Sequence, residues 1–190
     1  VSDNKVSSTQ LLIASIVQSA IEPALALLPF KLGSGLAMVQ LVAIGLQESD
    51  LLARKQVGGP ARGLWQFEQG SSTKGGGVWG VFKHPQSKEY LRELCEARGV
   101  AFDPVAIYRS LQFDDVLAAG VARLLMWTDR PPLPTTQEQG WEMYAKRTWV
   151  PGKPHPEKWP PCWYAAVSYG MANGWVKAGE KGSLDDTWRK

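Results

Sequence analysis

The sequence predicts a mainly α protein folded as a single domain over residues 1–190, and three observations carry that expectation. The length is that of one ordinary domain, and 44% hydrophobic with 21% charged residues is enough to bury a sizeable core. Apolar residues recur at helical spacing in several separated stretches. No alternating strand pattern stands outside one glycine-rich segment.

The elements follow in order. Ser8 and Thr9 can cap a helix whose apolar positions are Leu11, Leu12, Ile13, Ile16, Val17 and Ile21. Pro23 ends or kinks it, and residues 24–28 read as a short continuation closed by Pro29. After a turn at Gly33, Ser34 and Gly35, residues 36–46 are apolar on nearly every side, as in a central helix packed on several neighbours. That segment ends abruptly in Gln47, Glu48, Ser49 and Asp50. Eight of the nineteen glycines then fall between positions 58 and 80, which reads as a long structured loop or a small hairpin region. Tyr90, Leu91, Leu94 and Cys95 give one helical face closed by Gly99. Asp103 before Pro104 starts the next helix, and Asp114 or Asp115 starts residues 116–127. Thr135 with Glu138 has the spacing of a capping box ahead of Trp141 and Tyr144. Eight of thirteen prolines lie between 131 and 161, so residues 149–161 read as an extended strap. A last helix over 162–171 stops near Asn173 and Gly174.

Composition narrows the function classes. A net charge of +3 lacks the dense basic footprint of a dedicated nucleic-acid binder. The longest apolar run, 36–46, is too short to span a bilayer, and residues 1–10 are polar without the order of a signal peptide. Stable membrane insertion is therefore not expected. Cys95 and Cys162 are expected to be buried and unbridged. With His84 and His155 they lack the paired short spacings of a zinc site, so neither metal nor cofactor is expected. Nine tryptophans are an excess that suits either a surface stacking on flat sugar rings or a core filled by large rings.

Glu48 suits either of two readings, a group placed for chemistry or a helix-terminal residue that simply meets solvent. A carboxyl at the end of a buried helix is partly desolvated, which raises its pKa and keeps it protonated near neutrality. A protonated carboxylic acid in an apolar wall is what protonation of a glycosidic oxygen requires.

The string Gln47-Glu48-Ser49, followed by Gly58-Gly59-Pro60-Ala61-Arg62-Gly63-Leu64-Trp65-Gln66-Phe67-Glu68, resembles the lysozyme-like superfamily. Within it, the likeness is to the lytic transglycosylase branch, and in particular to small phage-encoded peptidoglycan-degrading enzymes. That branch carries a Glu-Ser pair and then a Gly-Leu-Met-Gln-type motif, here with Trp65 in the methionine position. Its later Ala-Tyr-Asn motif has a partial counterpart in Met143-Tyr144-Ala145. The resemblance covers residues 36–68 and, more loosely, 141–159.

The resemblance implies a single lysozyme-like domain that cleaves the β-1,4 bond between N-acetylmuramic acid and N-acetylglucosamine, with Glu48 as the acid and peptidoglycan strands as the partner. It implies substrate-binding roles for Ser49, Gly63, Gln66 and Tyr144. The residue types suit those roles: Gly63 lets backbone come close, and Gln66 offers a donor and an acceptor to an N-acetyl group. Ser49 equally suits a backbone-bonding helix terminus, and Trp65 and Tyr144 equally suit the core. Glu68 is the candidate second carboxylate if the enzyme is instead a hydrolytic muramidase. A third option is a glycan-binding structural module without catalysis. The expected setting is the bacterial cell wall, reached from a phage virion or a lysing host on the periplasmic side, by a monomer.

Overall fold

A computed structural model describes residues 7–177. It is mainly α, as the sequence predicts, and every regular element among the described residues is helical.

Ser7 caps α1 (Ser8–Ile16) by accepting from the Gln10 amide. The helix does not stop at Pro23. It passes through a π-helical turn, Val17–Ile21, into α2 (Glu22–Ala26), which carries the proline near its start. The wider π turn relieves the ladder where proline has no N–H to give. The combined run Ser8–Ala26 is thereby long and apolar enough, by length and composition, to cross a membrane, although 33% of it is buried in the fold.

A 3-10 turn, Phe30–Leu32, leads to Ser34, whose side chain caps α3 (Gly35–Ser49). This is the central helix: Val39 and every residue from Leu41 to Ile44 are buried. It packs chiefly along the last helix, Trp159–Ala172, and also touches the helix Asp115–Trp127. Gly35 has no room for a side chain because the Trp175 carbonyl sits against it. Asp50 at φ 55 and Leu51 at φ 57 then turn the chain sharply off the helix.

The glycine-rich segment contains isolated bridges, Lys55 to Arg62, Arg62 to Phe67 and Ser71 to Gly75, and no longer strand pairing. It also holds a helix that glycine density concealed, α4 (Gly77–Lys83), with Val78 and Val81 buried. Burial of those two valines outweighs the low helix propensity of their glycine neighbours.

Then come α5 (Lys88–Ala97), α6 (Pro104–Ser110) and α7 (Asp115–Trp127), with Asp103 and Asp114 capping the last two as the sequence predicts. Thr136, one residue later than expected, caps α8 (Gln137–Glu142), which runs into a second π-helical segment, Met143–Thr148. The extended strap is shorter than the prolines suggest. After a 3-10 turn, Pro156–Lys158, helix α9 (Trp159–Ala172) begins three residues earlier than predicted. Pro160 and Pro161 occupy its first turn, where a missing N–H leaves no ladder bond unmade. Cys95 and Cys162 are both buried and free.

Candidate active site

The last turn of α3 sets out three consecutive side chains in three environments. Gln47 and Ser49 are buried, whereas Glu48 between them is only partly covered. The Glu48 carboxyl accepts a hydrogen bond at Oε1 from the Tyr144 hydroxyl, 2.8 Å away. Burial pushes its pKa up from 4.5 to about 7, against the opposing pull of the Tyr144 hydrogen bond and of the Lys158 charge. Desolvation wins, so a substantial fraction of the acid is protonated at neutral pH.

Tyr144 is 2% exposed and comes from the second π-helical segment. Its ring lies parallel to Trp159 at 5.4 Å between centroids and is tilted against Trp141 at 5.6 Å. Those contacts fix the ring and aim the hydroxyl at Glu48. Burial and the nearby carboxylate both push the phenol pKa far up, so Tyr144 acts only as a neutral donor.

Ser49 faces inward. Its hydroxyl is buried and lies 2.6 Å from the Leu64 carbonyl and 3.2 Å from the Gly45 carbonyl. It fastens the glycine-rich loop to the end of α3, as a positioning residue. Gly63 likewise approaches the protein's own backbone and not an open surface. At φ 73 it is buried so tightly that a Cβ would sit 2.8 Å from the Leu111 carbonyl. Gln66, at φ 48, uses its side-chain amide N–H groups on the carbonyls of Ala53 (2.9 Å) and Gly63 (2.8 Å). Only its carbonyl oxygen is left for an outside partner. Trp65 is a core residue: it is fully buried, with Nε1 donating to the Leu41 carbonyl at 2.9 Å.

Of the predicted residues, Glu48 and Tyr144 are brought into direct contact, and Ser49, Gly63 and Gln66 serve to hold the loop beside them. Glu68 is exposed, and the carbonyl of this residue accepts the Val78 amide at the start of α4. Its side chain takes no part in the hydrogen bonding of Glu48.

The tryptophan-rich end divides. Trp159 and Trp163 are core at 1% exposure each. Trp149 is partly exposed, donates from Nε1 to the Trp65 carbonyl at 2.9 Å, and tilts against Phe67 at 5.6 Å. It closes one side of the loop that carries Gly63 and Gln66.

Two residues near Glu48 were missed from sequence. Lys158 donates to the Gln47 carbonyl at 3.1 Å and pairs with Asp50 at 3.0 Å, so its charge stands beside Glu48 already balanced by another carboxylate. Gln47 has Nε2 on the His155 carbonyl and a buried Oε1 without a partner among the described residues. Lys158 lies 111 positions after Gln47, inside the proline-rich stretch read as a strap, and no local pattern marks it as a partner of the acid. Asp50 and Lys158 also line a groove of about 820 Å³ with Leu46, Cys162 and the start of α1; Glu48 does not line it.

Among the described residues, no group of three or more His, Cys, Asp and Glu side chains converges as metal ligands do. No protein-family profile, curated protein or solved structure matches the chain.

Proposed function

We propose that the protein cleaves the glycan strands of peptidoglycan between N-acetylmuramic acid and N-acetylglucosamine, as a lytic transglycosylase with Glu48 as its acid and base. The observation that supports this most is the pairing of Glu48 with Tyr144: one half-buried carboxyl, titrating near pH 7, held by a buried phenol at the end of the central helix. The likeness of residues 47–49 and 58–68 to the transglycosylase motifs supplies the substrate class.

The chemistry follows from which oxygen is engaged. Tyr144 donates to Oε1, so the proton of the neutral acid sits on Oε2, which has no side-chain partner among the described residues. Oε2 delivers that proton to the glycosidic oxygen as the bond to the muramyl C1 breaks. The resulting carboxylate then takes the proton of the C6 hydroxyl, whose oxygen closes on C1 as a 1,6-anhydro ring. Glu48 ends as it began, protonated. A group that must give and then take a proton works best with a pKa near the working pH, and about 7 meets that requirement. Asp50 on Lys158 limits how far the lysine pulls that value down.

The test is product analysis after incubating the full chain with purified sacculi. Soluble fragments ending in 1,6-anhydromuramic acid, each one water lighter than a reducing-end fragment, are expected by mass spectrometry. Reducing-end fragments would place the enzyme with the muramidases. Intact sacculi, with the protein shown to be folded, would favour a binding module.

A further inference from the structure

The approach to α3 buries a cation that has no counter-ion among the described residues. Arg123, on α7, is 2% exposed. Its Nε donates to the Leu32 carbonyl at 2.7 Å, whereas its buried Nη1 has no hydrogen-bond partner among the described residues. The guanidinium carbon stands 5.7 Å from the ring centre of Trp127. Lys31, the residue before Leu32, places its ammonium 5.5 Å from that same indole and 5.4 Å from the ring of Tyr90. Two cations thus share one aromatic ring.

Among the described residues, neither cation has a carboxylate within ion-pair distance. Of the acidic side chains on the flanking elements, Glu89 pairs with Arg92 and Asp129 with Arg147. Burial lowers the arginine's pKa only to about 10, so it keeps its charge at neutral pH. An isolated buried charge is strongly unfavourable, and a buried N–H without an acceptor calls for an ordered water or an ion. A water satisfies the N–H but leaves the buried charge of Arg123 uncompensated. An oxyanion answers both needs. A tetrahedral one presents separate oxygens to a guanidinium and to a neighbouring ammonium, which a planar carboxylate does less well.

We propose that Arg123, Lys31 and the Trp127 indole form a binding site for a phosphate group. Arg123 is the fixed floor. Lys31 is the exposed arm, and its flexible stem lets the ammonium leave the rings to meet the ligand. The phosphate can be free or carried by a lipid headgroup, and Phe30 bears on that choice. It is 96% exposed, directly before Lys31, with Leu27 also exposed nearby. An apolar tip beside a phosphate site suits an amphiphile. The site is independent of the chemistry at Glu48.

Calorimetric titration of the full chain with inorganic phosphate, at ionic strength matched with chloride, tests the site directly. Saturable binding is expected, with a melting temperature that climbs as phosphate is raised. Lys31→Ala should weaken binding about tenfold, the loss of one charge-assisted contact, and Arg123→Met should abolish it. If Arg123→Met does not fold, Lys31→Ala decides alone, because that side chain is on the surface. A second arm measures sedimentation with phosphatidylcholine vesicles that contain or lack phosphatidic acid. Binding to the phosphatidic acid vesicles that is lost in Lys31→Ala and in Phe30→Ser assigns the phosphate to lipid. Saturable inorganic phosphate without vesicle binding assigns it to a free ligand. No binding in either arm overturns the proposal, as does binding that both Lys31→Ala and Arg123→Met leave unchanged.

Discussion

The two ends of α3 lie about 20 Å apart along the helix axis, and each has an ionisable group taken largely out of water. At the far end the group is Glu48, and at the approach to the helix it is Arg123. Burial acts on them in opposite senses, raising the acid to about 7 and lowering the base to about 10. The outcomes differ because of where those values fall against neutral pH. Glu48 escapes the cost of burial by keeping its proton, and the proton it keeps is the one a glycosidase delivers. Arg123 has no such exit, since at pH 7 it stays charged whatever the burial does. One end therefore resolves its desolvation by titration, and the other is where the anion site is proposed.

The largest effects should come from removing the acid. Glu48→Gln preserves the shape and the Tyr144 hydrogen bond but cannot transfer a proton, so clearance of sacculi should fall on the order of a hundredfold or more. Stability should move the other way. Between pH 4.5 and about 7 the folded protein holds a proton on Glu48 that the unfolded chain has released. Stability therefore falls as pH rises through that window. At pH 8 Glu48→Gln should be more stable than wild type by up to about 3 kcal/mol, and at pH 4 by nearly nothing. Urea melts at the two pH values measure this. In phosphate-free buffer the corresponding difference for Arg123→Met should not change between pH 4 and 8, because arginine titrates at neither end of that range. If both differences are flat with pH, the contrast between the two ends of α3 is broken.

Tyr144→Phe sharpens the acid end alone. The phenol hydrogen bond favours the carboxylate, so deleting it should raise the Glu48 pKa beyond about 7. The alkaline limb of the activity profile should shift to higher pH, while the maximal rate drops about tenfold for loss of a hydrogen bond to a charged group. The ring should stay in place against Trp159, so the melting temperature should change little. A limb that moves to lower pH would remove Tyr144 from the acid's control.

Ser49→Ala is expected to do less to the reaction and more to the scaffold. It leaves the buried Leu64 carbonyl without the donor that now sits 2.6 Å away. That should cost about 1–3 kcal/mol of stability, read by denaturant melts, with activity per folded molecule close to wild type. A loss of activity without a loss of stability would return Ser49 to the substrate.

How much of this was legible in the sequence depended on whether the decisive contact was local. The central helix and its acid could be read because an all-round apolar run ending in Gln-Glu-Ser-Asp leaves few other structures open. The caps at Asp103 and Asp114 were legible for the same reason, as each acts on amides two or three residues away. The glycines of α4 and the prolines at the start of α9 misled, since tertiary burial and first-turn position decided there. Gly63 and Gln66 were read as facing a ligand, but they answer to Leu111 and to Ala53, contacts that no spacing announces. Lys158 and Arg123 were invisible in the sequence because their meaning lies in which charges they meet or fail to meet.

The smallest effect expected is that of Glu68→Gln, and it bears on whether the acid end works alone. A hydrolase that retains or inverts configuration needs a second carboxylate across the bond, as nucleophile or as base for water. Glu68 is the sequence's contender for that part, but it is exposed on the loop and its side chain takes no part in the hydrogen bonding of Glu48. Asp50 is closer to the acid's surroundings, yet it is held by Lys158 at 3.0 Å and compensates that charge. With both accounted for, the proposed reaction returns the C6 hydroxyl proton to Glu48 itself and calls on no partner carboxylate. Glu68→Gln should therefore keep clearance of sacculi within about twofold of wild type, well inside what loss of a general base would cause. Its products should still carry anhydromuramyl ends. A dead Glu68→Gln, with reducing-end products from the wild type, would mean that Glu48 shares the reaction with Glu68, and the single-acid reading would give way to a two-carboxylate hydrolase.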